Sequence, residues 1–261
     1  NVFSAPGPDR ILRGIEAANY GAGVLLVVKN YSGDIMNFEM AQELATMRDI
    51  PVERVIVKDD IAVPDSTYSS GRRGIAGTVF VHKIAGAAAE RGYSLSMVKA
   101  AAEKAAQNVR SIGMSMSSCT LPAVGRPGFM LGDNEVEIGM GIHGEPGVER
   151  TDMKSARELA EILVARLTSD FDFQNSQAAL LINGLGATPL MELGILNLEV
   201  RKLLEAQGIQ IHRTFIGNYM TALEMAGCSV SLLRLDDQLK LLLDDPAHTP
   251  ALTVHREEAA K

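Results

Sequence analysis

Helical and strand patterns of apolar residues alternate from the start of the chain. A helix is predicted after Pro8 and Asp9, where proline in the first turn and an early acidic residue favour a helix start. The continuous apolar run at residues 21–28 predicts a strand buried on both faces of a parallel sheet. Helical spacing at residues 35–48 and a strand pattern at 52–57 follow. The order strand, helix, strand predicts a βαβ unit with a right-handed crossover.

The same alternation continues to the end of the chain. A long loop is predicted at residues 58–74, rich in Pro, Ser, Asp and Gly. Further helices are predicted at residues 74–91, 95–111, 152–168, 190–207, 219–226 and 236–243, and further strands at 111–121, 135–142, 178–183, 209–215 and 229–235. This pattern predicts an α/β protein with two layered α/β domains, mixed and mostly parallel sheets, and flanking helices. The expected division is into residues 1–110 and 111–261.

Composition and charge narrow the functional classes. The 261 residues are 46% hydrophobic and 22% charged, which is typical of a globular chain and excludes intrinsic disorder. A net charge of −7 disfavours a nucleic-acid partner. The apolar run at 23–28 is far shorter than the roughly 18 residues of a membrane span, so no membrane association is expected. The two cysteines, Cys119 and Cys228, cannot form a disulfide framework, and a reducing cytoplasmic location is expected.

A histidine between glycines is the first candidate for chemistry. The string GMGIHGEPG at residues 139–147 places His143 after an apolar strand, with small neighbours that leave its imidazole accessible. Open α/β sheets bind ligands at such strand ends. The alternative is a turn with His143 merely exposed at its tip. No second histidine or cysteine stands at ligand spacing, so no metal site is expected.

A second candidate follows the first predicted strand. In KNYSGD, residues 29–34, Asp34 stands at or next to a helix N-terminus, which is expected to lower the pKa of its carboxyl and keep it ionised. An ordinary helix-capping role would explain Asp34 equally well. Lys29 is harder to explain structurally, because buried strands rarely end on an ammonium group that has no partner.

Two further strings leave open alternatives. NGLGATP, residues 183–189, loosely resembles a phosphate loop but lacks the lysine and spacing of one, so its glycines are better explained by close packing. GRRG, residues 71–74, could bind an anion or an acidic partner surface, or form solvated surface.

Seven strings together resemble one family, the substrate-binding subunit of dihydroxyacetone kinase. They occur in the family's order and span nearly the whole chain. They are VVKNYSGDIMNFE, VIVKDDIAV, GRRGIAGTVFVHKIAGAAAERG, SIGMSMSSCTLPAVGRP, LGDNEVEIGMGIHGEPGVER, NGLGATPLMEL and DDPAHTPAL.

The resemblance implies roles for individual residues. His143 matches the histidine that binds the ketone covalently as a hemiaminal, and Asp34 matches the aspartate assigned to acid/base work on the substrate hydroxyl. Lys29 matches a substrate-site lysine. A loop near the family's site corresponds to FSAP, which makes Ser4 and Ala5 candidate substrate contacts.

The resemblance also implies partners. The phosphoryl donor is expected on a separate subunit that carries ADP, rephosphorylated through the phosphoenolpyruvate phosphotransferase system, or ATP, with magnesium. No cofactor is expected on this chain, and a homodimer is implied. Two alternatives stay open: a non-catalytic coactivator that senses dihydroxyacetone, and a kinase subunit for another short ketose such as erythrulose. The family's glycine-rich string G-G-G-S-G-H-E-P has no match here, so the chain is expected to lack the family's N-terminal segment.

Overall fold

The computed structural model describes residues 3–62, 71–123, 125–145 and 147–255. Within these ranges the helices are α1 (Pro8–Ala18), α2 (Ser32–Thr46), α3 (Thr78–Glu90), α4 (Leu95–Asn108), α5 (Ala156–Asp170), α6 (Leu190–Ala206) and α7 (Asp237–Asp244). The strands are β1 (Val24–Lys29), β2 (Val52–Val57), β3 (Val109–Ser115), β4 (Thr120–Leu121), β5 (Arg126–Pro127), β6 (Glu135–Ile138), β7 (Glu149–Asp152), β8 (Gln177–Gly184), β9 (Gln210–Gly217), β10 (Gly227–Leu235), β11 (Ala247–His248) and β12 (Thr253–Val254). Residues 63–70 of the loop expected at 58–74 lie outside the described residues.

The predicted βαβ unit is present at the start of the fold. Strands β1 and β2 pair in parallel, from Val24 opposite Val52 to Lys29 opposite Val57, and α2 connects them. Both strands therefore end at the same edge of this small sheet. That edge carries Lys29 and the first turn of α2.

The larger sheet has six strands in the order β7-β6-β3-β10-β8-β9. Only β8 and β9 pair in parallel; the other four neighbouring pairs are antiparallel. The expectation of mostly parallel sheets is therefore wrong for this sheet. The chain passes from β9 to β10 through a loop at residues 218–226, without a crossover helix, so β10 returns antiparallel to β8.

The helix expected at residues 219–226 is absent because that segment bonds to the end of β8 instead. The Asn183 side-chain oxygen accepts the backbone N–H groups of Tyr219 and Met220 at 2.9 and 2.8 Å. The Ala222 N–H donates to the Leu185 carbonyl at 2.8 Å. These bonds satisfy the donors that a helix would otherwise pair internally.

The two faces of the six-stranded sheet cover separate cores. Leu180 and Ile182 of β8 pack with side chains of α5 and α6. Leu181, which points to the other face, packs with side chains of α3, α4 and α7. The same core contains Val57 of β2, so α3 and α4 lie between the two sheets. A third core joins β1 to α1 and α2. The division into residues 1–110 and 111–261 stays a prediction.

Candidate substrate site

The candidate residues come from the edge where β1 and β2 end and from the loop between β6 and β7. Lys29 is the last residue of β1, Asp34 lies in the first turn of α2, and His143 lies in the β6–β7 loop. The positive charges of Lys29 and of a protonated His143 act on the Asp34 carboxyl. The structure thus brings these three predicted residues together, although His143 is more than a hundred positions away from the other two along the chain.

Glu145 holds His143 through two hydrogen bonds. The imidazole Nδ1 lies 3.1 Å from Glu145 Oε1, and the His143 backbone N–H donates to Oε2 at 2.9 Å. Burial acts to raise the pKa of Glu145, but the hydrogen bonds from His143 outweigh it, so the pKa lies below its ordinary value. An ionised Glu145 is an acceptor, which places the imidazole proton on Nδ1. The lone pair of Nε2 is then available as a nucleophile.

Two aromatic rings fix the plane of the imidazole. Tyr31 lies with its ring centroid 4.7 Å from that of His143 at an interplanar angle of 72°, and Phe3 lies at 5.3 Å and 80°. Both are edge-to-face arrangements. Phe3 has a φ of 56°, an uncommon conformation for a side chain of this size. The His143 side chain is 31% exposed, so it remains accessible to a small molecule.

The pKa of Asp34 moves in the direction opposite to the one expected. Burial raises it, while the charges of Lys29 and His143 lower it by less, and the net direction is upward. The expectation that the helix N-terminus would lower the pKa of Asp34 is wrong, because desolvation of the half-buried carboxyl has the larger effect on this pKa. A raised pKa suits proton transfer near neutral pH, since a more basic carboxylate accepts a proton more readily.

Lys29 is half-buried beside the segment that leads into α3. A Cβ on Gly74 would lie 2.8 Å from the Cβ of Lys29, so only glycine allows this approach. In the part of the chain that the structure describes, the Lys29 ammonium makes no ion pair with a carboxylate within 4.0 Å. Its charge nevertheless reaches Asp34.

The FSAP loop leans on the start of α2. The Asn37 side-chain amide donates to the Pro6 carbonyl at 2.8 Å. The Cβ of Ala5 would lie 3.4 Å from a Cβ on Gly33, immediately before Asp34. Ala5 is therefore at the site, whereas Ser4 is exposed beside it. The loop also brings Phe3 to His143.

An ion pair lies behind Glu145. Arg73 donates to Asp60 through Nε and to the Gly139 carbonyl through Nη2, both at 2.7 Å. Burial raises the pKa of Asp60 to about 6, although the Arg73 charge acts against it. A Cβ on Gly141 would collide with Glu145 Oε2 and lie 2.8 Å from Arg73 Nη1. Gly141 thus leaves the space into which both side chains reach.

The GRRG arginines are neither a free anion site nor solvated surface. Arg73 binds Asp60 as described, and Arg72 binds both oxygens of Asp170 at 2.8 and 2.6 Å. Arg110 donates to the same carboxylate at 2.8 Å. Arg72 and Arg73 therefore each join segments that are distant in the sequence.

The NGLGATP glycines permit close approach of neighbouring chain, although the sequence interpretation expects packing of a helix against the strand. A Cβ on Gly186, which has a φ of 129°, would collide with the Leu223 carbonyl, and one on Gly184 would collide with the Asn218 side chain. The nearest neighbour of both glycines is the 218–224 segment, and a Cβ on Gly184 would also lie 3.0 Å from the Leu193 side chain of α6.

Three residues next to the candidate site are not predicted from the sequence as site residues: Glu145, Tyr31 and Arg73. Glu145 stands only two positions after His143, and that spacing was its sole signal. Among the described residues, no group of three or more His, Cys, Asp or Glu side chains could hold a metal ion. No helix in the described ranges is long and apolar enough to span a membrane.

The fold and the site define a mixed α/β protein in which a carboxylate binds Nδ1 of a partly exposed histidine, near a second carboxyl group whose pKa is raised. The chain belongs to the Dak1 domain family, whose model matches residues 1–251.

Curated relatives resemble it over most of their length. A PTS-dependent dihydroxyacetone kinase 1, dihydroxyacetone-binding subunit DhaK, from Listeria innocua is 52% identical over 250 residues, which cover 94% of this chain and 76% of the relative. The PEP-dependent dihydroxyacetone kinase, dihydroxyacetone-binding subunit DhaK, from Escherichia coli is 41% identical over 277 residues, 96% of this chain and 78% of the relative.

Two solved structures share the fold. The dihydroxyacetone kinase operon co-activator DhaQ has a TM-score of 0.86 at 33% identity, over 92% of this chain and 75% of that chain. The dihydroxyacetone kinase of C. freundii in complex with AMP-PNP and Mg²⁺ has a TM-score of 0.86 at 35% identity, over 100% of this chain and 50% of that chain.

Proposed function

We propose that this chain is the dihydroxyacetone-binding subunit of a dihydroxyacetone kinase. It captures the ketone through His143 and presents a terminal hydroxyl for phosphorylation. The observation that carries the proposal is the fixed imidazole, with Nδ1 bound to Glu145 and Nε2 left to react. Family membership and 52% identity to a dihydroxyacetone-binding subunit support the choice of substrate.

Capture is an addition to the carbonyl group. The Nε2 lone pair forms a bond to the carbonyl carbon, and the C=O π bond breaks. Its electron pair stays on the oxygen, which takes up a proton from solvent. The imidazole becomes positively charged in this step, and the Glu145 carboxylate at Nδ1 stabilises that charge. A polyol such as glycerol has no carbonyl carbon and cannot react in this way.

Asp34 acts in the second step. Its carboxylate accepts the proton of the terminal hydroxyl as that oxygen attacks the phosphoryl group. Lys29, whose charge reaches Asp34, provides positive charge beside the reacting oxygens. Ala5 lies against Gly33, immediately before Asp34, and Ser4 follows Phe3 in the same loop. Holding the hydroxyl in place is the main contribution that a protein makes to phosphoryl transfer.

The phosphoryl donor belongs to a separate subunit in this proposal. That subunit carries ADP or ATP with magnesium, and this chain binds no nucleotide itself. Homodimerisation and a cytoplasmic location complete the proposal. The names of the relatives, which are PTS-dependent or PEP-dependent kinase subunits, support a donor on a separate subunit.

The experiment is a ¹³C NMR titration with dihydroxyacetone labelled at the carbonyl carbon. Adduct formation moves the resonance from the ketone region to that of a tetrahedral carbon. His143→Gln is expected to abolish the adduct signal. His212→Gln is the matched control, because His212 binds Asp244 at 2.8 Å, away from the site, and should leave the signal intact. A protein-bound tetrahedral signal, distinct from that of the free ketone hydrate, that persists in His143→Gln would contradict the proposal.

The coactivator remains the alternative, supported by the 33% identity to DhaQ. Coupled assays with donor subunits of the ATP-dependent and phosphotransferase classes separate the two. A coactivator forms the adduct without turnover, whereas a kinase subunit phosphorylates the ketone. Erythrulose assayed beside dihydroxyacetone decides between the short ketoses.

A further inference from the structure

The hydroxyl group of Tyr31 is buried without a partner. Its oxygen is shielded from solvent and neither donates nor accepts a hydrogen bond within the described residues. Buried polar groups are almost always paired, because an unpaired one loses its bonds to water and gains nothing in return. The ring of the same residue lies against His143, with centroids 4.7 Å apart. The residue that carries the unpaired hydroxyl therefore packs directly against His143.

The charges around this hydroxyl define its chemical state. Burial raises the pKa of Tyr31, the nearby Glu145 carboxylate raises it further, and the Arg73 charge lowers it by less. Asp60 and Asp59 act in the same direction as Glu145. Tyr31 is thus a neutral phenol in surroundings where negative charge outweighs positive charge. Among these groups, Glu145 is the one that also binds His143.

The backbone holds Tyr31 in place. Its N–H donates to the Lys29 carbonyl at 2.8 Å, and its own carbonyl accepts from the Ile35 N–H at 2.9 Å at the start of α2. The backbone of the residue before helix α2 is therefore fixed between Lys29 and Asp34, and its ring lies against the imidazole. Of the charged groups that act on the Tyr31 hydroxyl, the Glu145 carboxylate has the largest effect, which makes it the candidate acceptor.

We propose that Tyr31 is a positioning residue for ketone capture: its ring holds the His143 imidazole with Nε2 towards the ketone, and its hydroxyl donates to the Glu145 carboxylate once the carbon is bound. This inference rests on the proposed covalent capture. The bond at Nε2 places positive charge on the imidazole, so Glu145 must remain ionised beside it. A hydrogen bond from Tyr31 stabilises that carboxylate in the adduct, and it is unmade in the resting chain.

Removal of the Tyr31 hydroxyl should weaken ketone capture without lowering the stability of the ketone-free protein. Tyr31→Phe removes the hydroxyl and keeps the ring. We expect the dissociation constant for the ¹³C-detected adduct to rise about tenfold, the effect of one hydrogen bond to a charged group. The unfolding temperature without ketone should stay the same or rise, because the removed hydroxyl has no partner in that state. A hydroxyl with a purely structural role would lower stability and leave capture unchanged.

The ring is tested by a second variant. Tyr31→Leu removes the edge-to-face contact that keeps the imidazole at the Glu145 carboxylate. Without this contact the Nδ1 hydrogen bond should form only part of the time. ¹⁵N NMR of the His143 ring in the ketone-free protein is then expected to show a mixture of tautomers, where the parent chain and Tyr31→Phe show Nδ1–H alone. Tyr93→Phe is the control, since Tyr93 packs against the core around α3 and α4, and it should change neither readout.

Three results would overturn the proposal. Parent-like capture by Tyr31→Phe would exclude the hydroxyl, and a lowered unfolding temperature in that variant would assign the hydroxyl to folding. An unchanged tautomer in Tyr31→Leu would exclude the ring. If the parent chain forms no adduct, the proposed function fails, and the tautomer measurement still decides the role of the ring because it needs no ketone.

Discussion

The Glu145 carboxylate binds both the ring and the backbone of His143, and this double contact decides what the histidine can do. A free imidazole exchanges its proton between two nitrogens. A carboxylate at Nδ1 removes that choice and leaves Nε2 with its lone pair. At the scale of single residues, the reactivity of His143 therefore depends on a neighbour only two positions away.

Glu145→Gln is expected to weaken ketone capture by about tenfold or more, since glutamine keeps the size of the side chain but cannot neutralise the charged imidazole. The ¹³C titration measures the dissociation constant of the adduct. Glu161→Gln is the control, because Glu161 forms only an exposed pair with Arg157 on α5. Capture by Glu145→Gln with the affinity of the parent chain would refute the electrostatic role.

Asp34→Asn is expected to lower kcat by about a hundredfold or more, the usual loss when a general base is removed, and to leave the ¹³C adduct intact. Since the pKa of Asp34 is raised by burial, kcat of the parent chain should fall on acidification at a pH above the ordinary value for aspartate. The carboxylate must be ionised to accept the hydroxyl proton, so activity is lost as pH falls. A pH profile of kcat that is flat through this range, or normal turnover in the variant, would remove the role as a base.

At the scale of elements, local patterns predicted most helices and strands, but they did not predict how the strands pair. The predicted strand at residues 178–183 forms as β8, and the predicted helix at 190–207 forms as α6. The helix expected at 219–226 fails because Asn183, more than thirty positions earlier, takes up its backbone donors. The antiparallel direction of β10 follows from that same loop. Contacts of this kind join residues far apart in sequence, so neither apolar spacing nor local propensity records them.

The residues of the candidate site also divide into those that the sequence predicts and those that only the folded chain brings together. His143, Asp34 and Lys29 stand in strings with a chemical signature, and the sequence located all three as candidates. Tyr31 and Arg73 owe their positions to the packing of the β6–β7 loop against the edge of the small sheet. That packing exists only in the folded chain.

The end of α5 depends on a carboxylate that two arginines share. Asp170 binds Arg72 and Arg110, and it joins α5 to the segment before α3 and to β3. Although burial acts to raise it, the pKa of Asp170 lies below its ordinary value because of the hydrogen bonds and charges of these arginines. A depressed carboxyl pKa stabilises the fold above the unfolded-state pKa of about 4, and this contribution is lost as pH falls through the folded-state value.

Asp170→Asn is therefore expected to lower the free energy of unfolding near pH 7 by about 1–3 kcal/mol and to reduce the loss of stability on acidification below pH of about 4. Urea unfolding at a series of pH values measures both effects. Asp133→Asn changes an exposed aspartate and should change neither. An unaltered pH dependence in Asp170→Asn would show that the arginine pairs contribute nothing to folding.

At the scale of the whole molecule, α3 and α4 connect the two sheets. Their buried side chains share one core with β2 on one side and with β8 and β10 on the other. The main chain after β2 also bonds to β3, since the Ser111 N–H donates to the Asp59 carbonyl at 2.8 Å and the Ile61 N–H donates to the Ser111 carbonyl at 3.0 Å. The predicted division at residue 110 therefore passes through a common core and a hydrogen-bonded connection.

This arrangement predicts that the segments on either side of residue 110 unfold together. Leu181 of β8 is fully buried in the shared core, and Leu181→Ala should lower the free energy of unfolding by about 2–5 kcal/mol. If α3 and α4 depend on the large sheet, their amide protons should lose protection against exchange by the same free energy as those of β8. Leu180→Ala, on the opposite face of the same strand, is the matched comparison, and in one cooperative unit it should lower the protection of α3 and α4 as well. Amide exchange read by NMR distinguishes the outcomes. If the protection of α3 and α4 stays unchanged in both variants, the chain folds as two independent domains. The core shared by these helices and the large sheet would then contribute too little free energy to couple the two domains.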